Sequence, residues 1–378
     1  MVNLEISLQE NIIGSSGGST RLQIDTDDRN EWTVTIEQTG NWVAINAIEG
    51  TGTRSPIVTV APNTQKTERS AMFAVAVGKT KKSVELFQNP YVPDTSDTPE
   101  VREIPFRLEL PLVRDTTWYI QHNVEHNGST IVNFALEYDT AQRHAIWVAY
   151  ILNAALLNGS IDRNNFTFDP KIPKAFQPHE INNYGDTVIP RYWTMSDNTY
   201  ERGHLLASAD RPFSQAANDQ TNYLSNISPH LREFHNNQGG TGSGSGVWLR
   251  LEGLVRTWAQ NCDTLYVVKG GSIIPGAPGT EIVEILTGIN NTVVPKYYFK
   301  ALVARRGNDF EGIAFWLEQK KGMARRAVVR TDVITIRELE QKTGINFFHN
   351  LKYALPSNPN LEEQVETKTP NWSWWPPL

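Results

Sequence analysis

Tyr200-Glu201-Arg202-Gly203-His204-Leu205-Leu206-Ala207-Ser208-Ala209-Asp210-Arg211 is the stretch on which the reading of this chain turns. Tyr223-Leu224-Ser225-Asn226-Ile227-Ser228-Pro229 follows it, and then an amphipathic segment from Val247 to Gln260 that carries Glu252. Arg202 and His204 stand two apart on a predicted strand, so alternation places both side chains on one face. Val247, Leu251, Leu254, Val255 and Trp258 recur at helical spacing and predict a buried stripe. Trp248 and Arg256 lie one turn before and after Glu252. An imidazole with a pKa near ~6.5 is largely neutral at neutral pH and can take a proton from water. A guanidinium offers phosphate a bidentate grip, and a carboxylate can hold a hard cation. These side chains together are what metal-assisted hydrolysis of a phosphodiester needs. Each has a plainer reading: a hydrogen-bonded histidine without chemistry, an arginine in a surface salt bridge, a Glu252–Arg256 surface pair.

The ordered series strongly resembles the sugar-non-specific DNA/RNA endonuclease family, whose core is the ββα-metal (His-Me) finger. The family pattern runs D-R-G-H, small residues, D-R, then S-N-x-x-P-Q, N-Q-G-x-W and L-E. Trp147-Val148-Ala149-Tyr150, the run from Thr264 to Gly271, Val294 to Lys300 and Thr343 to Phe348 resemble further landmarks in family order, so the likeness extends over residues 105–375. It implies His204 as general base, with Arg202 and Arg163 offsetting phosphate charge. Arg163 lies in Asp162-Arg163-Asn164-Asn165-Phe166-Thr167-Phe168-Asp169-Pro170. Glu252 would bind the metal and orient its water shell, and Asn226 would hold the finger's backbone. The metal-ligand asparagine falls where this chain inserts Gly and Ser residues. It is read as Asn237 or, failing that, Asn236, with His235 an outside candidate. Amide oxygen, carboxylate and water suit Mg²⁺ or Mn²⁺, and the lack of thiolates argues against structural zinc. Departures from the pattern are Glu201 for Asp, Ala207 for Pro and His230 for Gln. The first two should be mild; the last would alter substrate grip or offer an extra ligand. By resemblance, DNA and RNA are both cut, leaving 5′-phosphates.

The 378 residues suffice for two domains and a sizeable core. Hydrophobic content of 39% and eleven tryptophans fit a globular protein. A net charge of −6 sits awkwardly with nucleic acid, because phosphate neutralisation drives most non-specific binding. Local positive charge in a cleft would resolve this, and long duplex DNA is the less favoured substrate. No apolar run approaches the ~18–20 residues of a membrane span. The start, Met1-Val2-Asn3-Leu4-Glu5, lacks the basic flank and apolar core of a signal peptide, although a mature fragment with an added Met1 would read the same. Cys262 stands alone, so no internal disulfide is expected, and cytoplasm and bacterial envelope stay equally open.

Residues 1–90 read as short alternating strands, among them Glu31 to Ile36, Pro56 to Val60 and Met72 to Val77, separated by glycine-marked turns. That spacing implies an all-β, immunoglobulin-like sandwich. The segment resembles a BACON domain in Trp32, Trp42-Val43, Gly50 and Gly52, Asn63, Arg69 and Val84 to Gln88. That resemblance implies a secreted or envelope-associated bacterial protein with possible glycan or mucin contact. Trp32 and Trp42 themselves read as core, and a spacer or adhesion role is the safer expectation. Residues 91–104 form a Pro-, Asp- and Thr-rich linker. Residues 105–378 read as an α+β domain with a mixed or antiparallel sheet flanked by helices. Gly239 to Gly246 is a low-complexity loop expected to be mobile. The aromatic tail, Asn371 to Leu378, should pack on the catalytic domain or on the joint. The competing reading is a surface carbohydrate- or mucin-binding protein with an inactive nuclease-like half.

Overall fold

The computed structural model describes the chain except residues 1–2, 16, 39, 64, 66, 91–105, 163, 183, 191–192, 196–197, 236–245, 323–325 and 377–378. The chain divides into two compact units, Met1–Arg102 and Glu103–Leu378.

The first unit is all-β. Leu4–Leu8, Gly18–Thr26, Ile57–Val60 and Val43–Ile45 form one sheet in that order. Ile12–Ile13, Thr80–Gln88, Arg69–Val77, Glu31–Gln38 and Glu49–Thr51 form the other. Alternation sends Trp32 and Val34, Val58 and Val60, and Phe73 and Val75 into a shared core. Trp32 donates its indole N–H to Gly52 O at 2.9 Å. Its ring would lie 2.3 Å from a Cβ at position 50, so only glycine fits there. Trp32 and Trp42 are both buried, so neither is available as a stacking platform for sugar.

The second unit is built on a seven-stranded sheet in the order Trp118–His126, Ser129–Asp139, His144–Leu152, Thr264–Gly271, Tyr297–Arg306, Asp309–Glu318 and Val333–Ile334. Every neighbouring pair is antiparallel, so nothing in this sheet is mixed. Phe134, Leu136, Val148, Tyr150, Val267 and Leu302 face one side, under the helix Val247–Ala259. Ala135, Trp147, Ala149, Val268 and Val303 face the other, against Ile336–Thr343 and Leu361–Thr367. Cover on both faces explains why residues 133–138 are all buried. The tail packs on this unit: Trp375 is fully buried 5.3 Å from the Trp258 ring, and Trp258 donates to Pro376 O. Cys262 is half-buried, and burial pushes its thiol up to about 11. Among the described residues, no helix is long and apolar enough to cross a membrane.

Candidate active site

Between the third and fourth sheet strands the chain builds a ββα unit. Its strands, Asn198–His204 and Ile227–Leu231, pair antiparallel, with Arg202 opposite Pro229 and His204 opposite Ile227. The helix Val247–Ala259 joins them through Trp248, whose indole N–H donates to the His204 carbonyl at 3.3 Å. Glu252 sits one helical turn further on, 5% exposed. His204 and Glu252 therefore lie on adjoining elements of one small unit.

Asn226 spends its amide on the loop that closes this unit. Its Oδ1 accepts Leu206 N–H at 2.7 Å, and its Nδ2 donates to Leu206 O and Thr221 O. Gly203 is required by its neighbour, because a Cβ there would fall 2.0 Å from the His230 ring. His230 is fully buried among Phe234, Trp248 and Tyr298, and neither ring nitrogen has a hydrogen-bond partner. Burial, with His235 and Lys300 beside it, drives the His230 imidazole well below its usual range.

The His204 imidazole is half-buried, with Nε2 3.2 Å from Asn222 Oδ1. An amide oxygen only accepts, so this contact puts the proton on Nε2 and makes Nδ1 the basic nitrogen of the neutral ring. Asn222 is itself buried. Arg202 lays its guanidinium 4.1 Å over the Phe166 ring, and the same ring stands 5.4 Å from the His204 imidazole. Burial lowers the Arg202 pKa from its usual value. Among the described residues Arg202 makes no ion pair.

Glu252 faces a buried ionic cluster. Among the described residues its Oε1 has no hydrogen-bond partner, and Lys269 Nζ stands 4.0 Å away, beyond hydrogen-bond reach. Arg256 pairs with Asp210, Nη1 to Oδ1 at 3.0 Å, rather than forming the Glu252–Arg256 surface pair of the plainer reading. Lys269 and the Tyr150 hydroxyl complete the grip on Asp210, at 3.4 and 2.7 Å. Burial alone would raise Asp210, but Lys269 and Arg256 hold it at about 2. Lys300 donates to Trp248 O at 3.2 Å, and burial together with Lys269 pushes its amine well below the usual range. The buried stripe of the helix departs from the sequence expectation: Leu254 is half-buried, while Trp248, Glu252 and Ala259 are buried as well.

Arg163, Asn236 and Asn237 lie outside the described residues. His235, the outside candidate for the metal, has Nδ1 3.0 Å from Glu201 Oε2. Among the described residues no group of three or more His, Cys, Asp or Glu could hold a metal ion. The unpartnered oxygen of Glu252 is a hard donor of the kind a divalent cation takes when amides and waters supply the remaining ligands.

Residues 117–354 match the family model described as DNA/RNA non-specific endonuclease. The chain belongs to that family. Relatives similar to it include the mitochondrial nuclease EXOG of Homo sapiens, 28% identical over 227 residues. Nuclease C1 of Cunninghamella echinulata var. echinulata is 25% identical over 225 residues. Each match covers 58% of this chain, and covers 56% and 81% of those relatives respectively. The chain thus spans just over half the length of the first. A solved EndoG/EndoGI complex aligns at 20% identity and a TM-score of 0.45, covering 61% of this chain and 87% of that one.

In this chain, sequence reading passed over Asn222, Phe166 and the Asp210 cluster. Asp210 stood in the opening run without a role, and Asn222 directly precedes the Tyr223 run. An asparagine directly before a conspicuous motif was the available signal. Nothing local marked Lys269 as its partner.

Proposed function

We propose that this chain is a metal-dependent endonuclease that hydrolyses phosphodiester bonds in DNA and RNA. The observation carrying this is His204, held at Nε2 by Asn222, on a strand joined through Trp248 to the helix of Glu252. In this reading His204 Nδ1 takes a proton from the attacking water. Arg202, with no ion pair among the described residues, offsets charge on the crowded phosphate, and Arg163 is assigned the same task. Glu252 and Asn237 or Asn236 would hold a Mg²⁺ or Mn²⁺ ion, whose chemistry there would be to offset negative charge at the phosphate. Contacts to backbone rather than bases would let both nucleic acids serve as substrate.

The products should carry 5′-phosphates. End-group labelling tests this: product ends should accept label from polynucleotide kinase only after phosphatase treatment. Ends that accept label directly would overturn the assignment. For the first unit we propose a spacer or adhesion role in a secreted or envelope-bound bacterial protein. Its support is the BACON resemblance, and fractionation of a native host would test it.

A further inference from the structure

We propose that Phe166 is a positioning residue for both Arg202 and His204, an inference that rests on the endonuclease reading above. Its ring lies 4.1 Å beneath the Arg202 guanidinium and 5.4 Å from the His204 imidazole. An aromatic face holds a cation without accepting its N–H groups and without cancelling its charge. A carboxylate in the same place would do both. Arg202 makes no ion pair among the described residues, so the ring orients it while leaving its donors for phosphate.

The segment carrying Phe166 is anchored on both sides. Thr167 N–H donates to Asn222 O at 3.1 Å, and Leu224 N–H donates to Thr167 O at 3.0 Å. Asn164 Nδ2 donates to Asp219 Oδ1 at 2.7 Å. Asp169, buried, accepts from Ser225 Oγ at 2.5 Å and lies 2.9 Å from His122 Nε2. One clip therefore sets the backbone of Asn222, whose side chain meets the imidazole at Nε2, and the ring of Phe166, which lies tilted at 38° to it. Base and phosphate-binding cation are thereby fixed by a single piece of chain, so loss of the ring should disturb the chemical step more than substrate capture.

The test compares Phe166→Leu, Phe166→Tyr and wild type in steady-state cleavage of a short oligonucleotide, alone and in an Arg202→Ala background. Phe166→Leu should lower kcat about 10- to 30-fold with KM changed less than about threefold, as loss of a partly desolvated cation–π contact implies. Phe166→Tyr should recover activity to within about threefold. In the Arg202→Ala background, Phe166→Leu should cost clearly less, because part of its effect runs through the missing guanidinium. Full kcat in a folded Phe166→Leu enzyme, or equal losses with and without Arg202, would overturn the proposal. Should Phe166→Leu melt below the assay temperature, the Phe166→Tyr and Phe166→Met pair takes its place with the same criteria. A wild-type protein indifferent to His204→Ala would instead sink the endonuclease reading.

Discussion

His204 Nε2 lies 3.2 Å from Asn222 Oδ1, an acceptor that favours the proton on Nε2 and leaves Nδ1 as the basic nitrogen. Asn222→Ala should leave the fold intact and lower kcat about 10- to 100-fold with little change in KM, because it frees the ring's orientation and tautomer. Asn222→Asp should move the acid limb of the kcat–pH profile upward, since a carboxylate beside the ring favours imidazolium. Steady-state pH profiles of the three proteins check both statements. An unshifted limb in Asn222→Asp would contradict the contact.

Asp210 is the counter-charge for Arg256 and Lys269 inside the second unit. Asp210→Asn should destabilise that unit by about 2–4 kcal/mol, because buried Lys269 and half-buried Arg256 lose their partner. Chemical denaturation should show a lower midpoint with an unchanged slope. Pairing it with Lys269→Met should recover part of the loss.

Stability should fall on acidification. Burial holds His144 at about 4 and His230 well below its usual range, so the folded chain keeps both neutral. The unfolded chain binds those protons below ~6.5, so the contribution is complete above that pH and declines as pH drops from ~6.5 toward 4. His230→Leu removes one of these groups and its two unpartnered nitrogens. Its melting temperature should exceed wild type at pH 5, and the gap should narrow by pH 7.5.

Glu252→Gln keeps the shape of the site and removes one carboxylate charge. Mn²⁺ binding measured by calorimetry should weaken at least about tenfold, while the thermal melt without metal should stay close to wild type. Unchanged Mn²⁺ affinity would place the ion elsewhere.

The finger was legible because its chemistry is local. Arg202 and His204 alternate on one strand, and Glu252 follows on a helix whose apolar spacing declares itself. The two-unit organisation was legible too, because turn glycines and short alternating runs stop at the Pro-rich segment. Asp210, Arg256 and Lys269 are far apart in the sequence and meet only when the helix lies on the sheet, so no local pattern could pair them. The strand Ser129–Asp139 shows the same limit, since its two-sided burial depends on helices distant along the chain.

Cleavage of supercoiled plasmid and of RNA by the purified chain, with and without chelator and beside His204→Ala, bears most directly on the whole argument. Both substrates should be degraded by wild type with Mg²⁺ or Mn²⁺, and chelator or His204→Ala should reduce the rate at least about a thousandfold. Degradation that persists in chelator and in His204→Ala would show that the imidazole and the metal are not what breaks the strand.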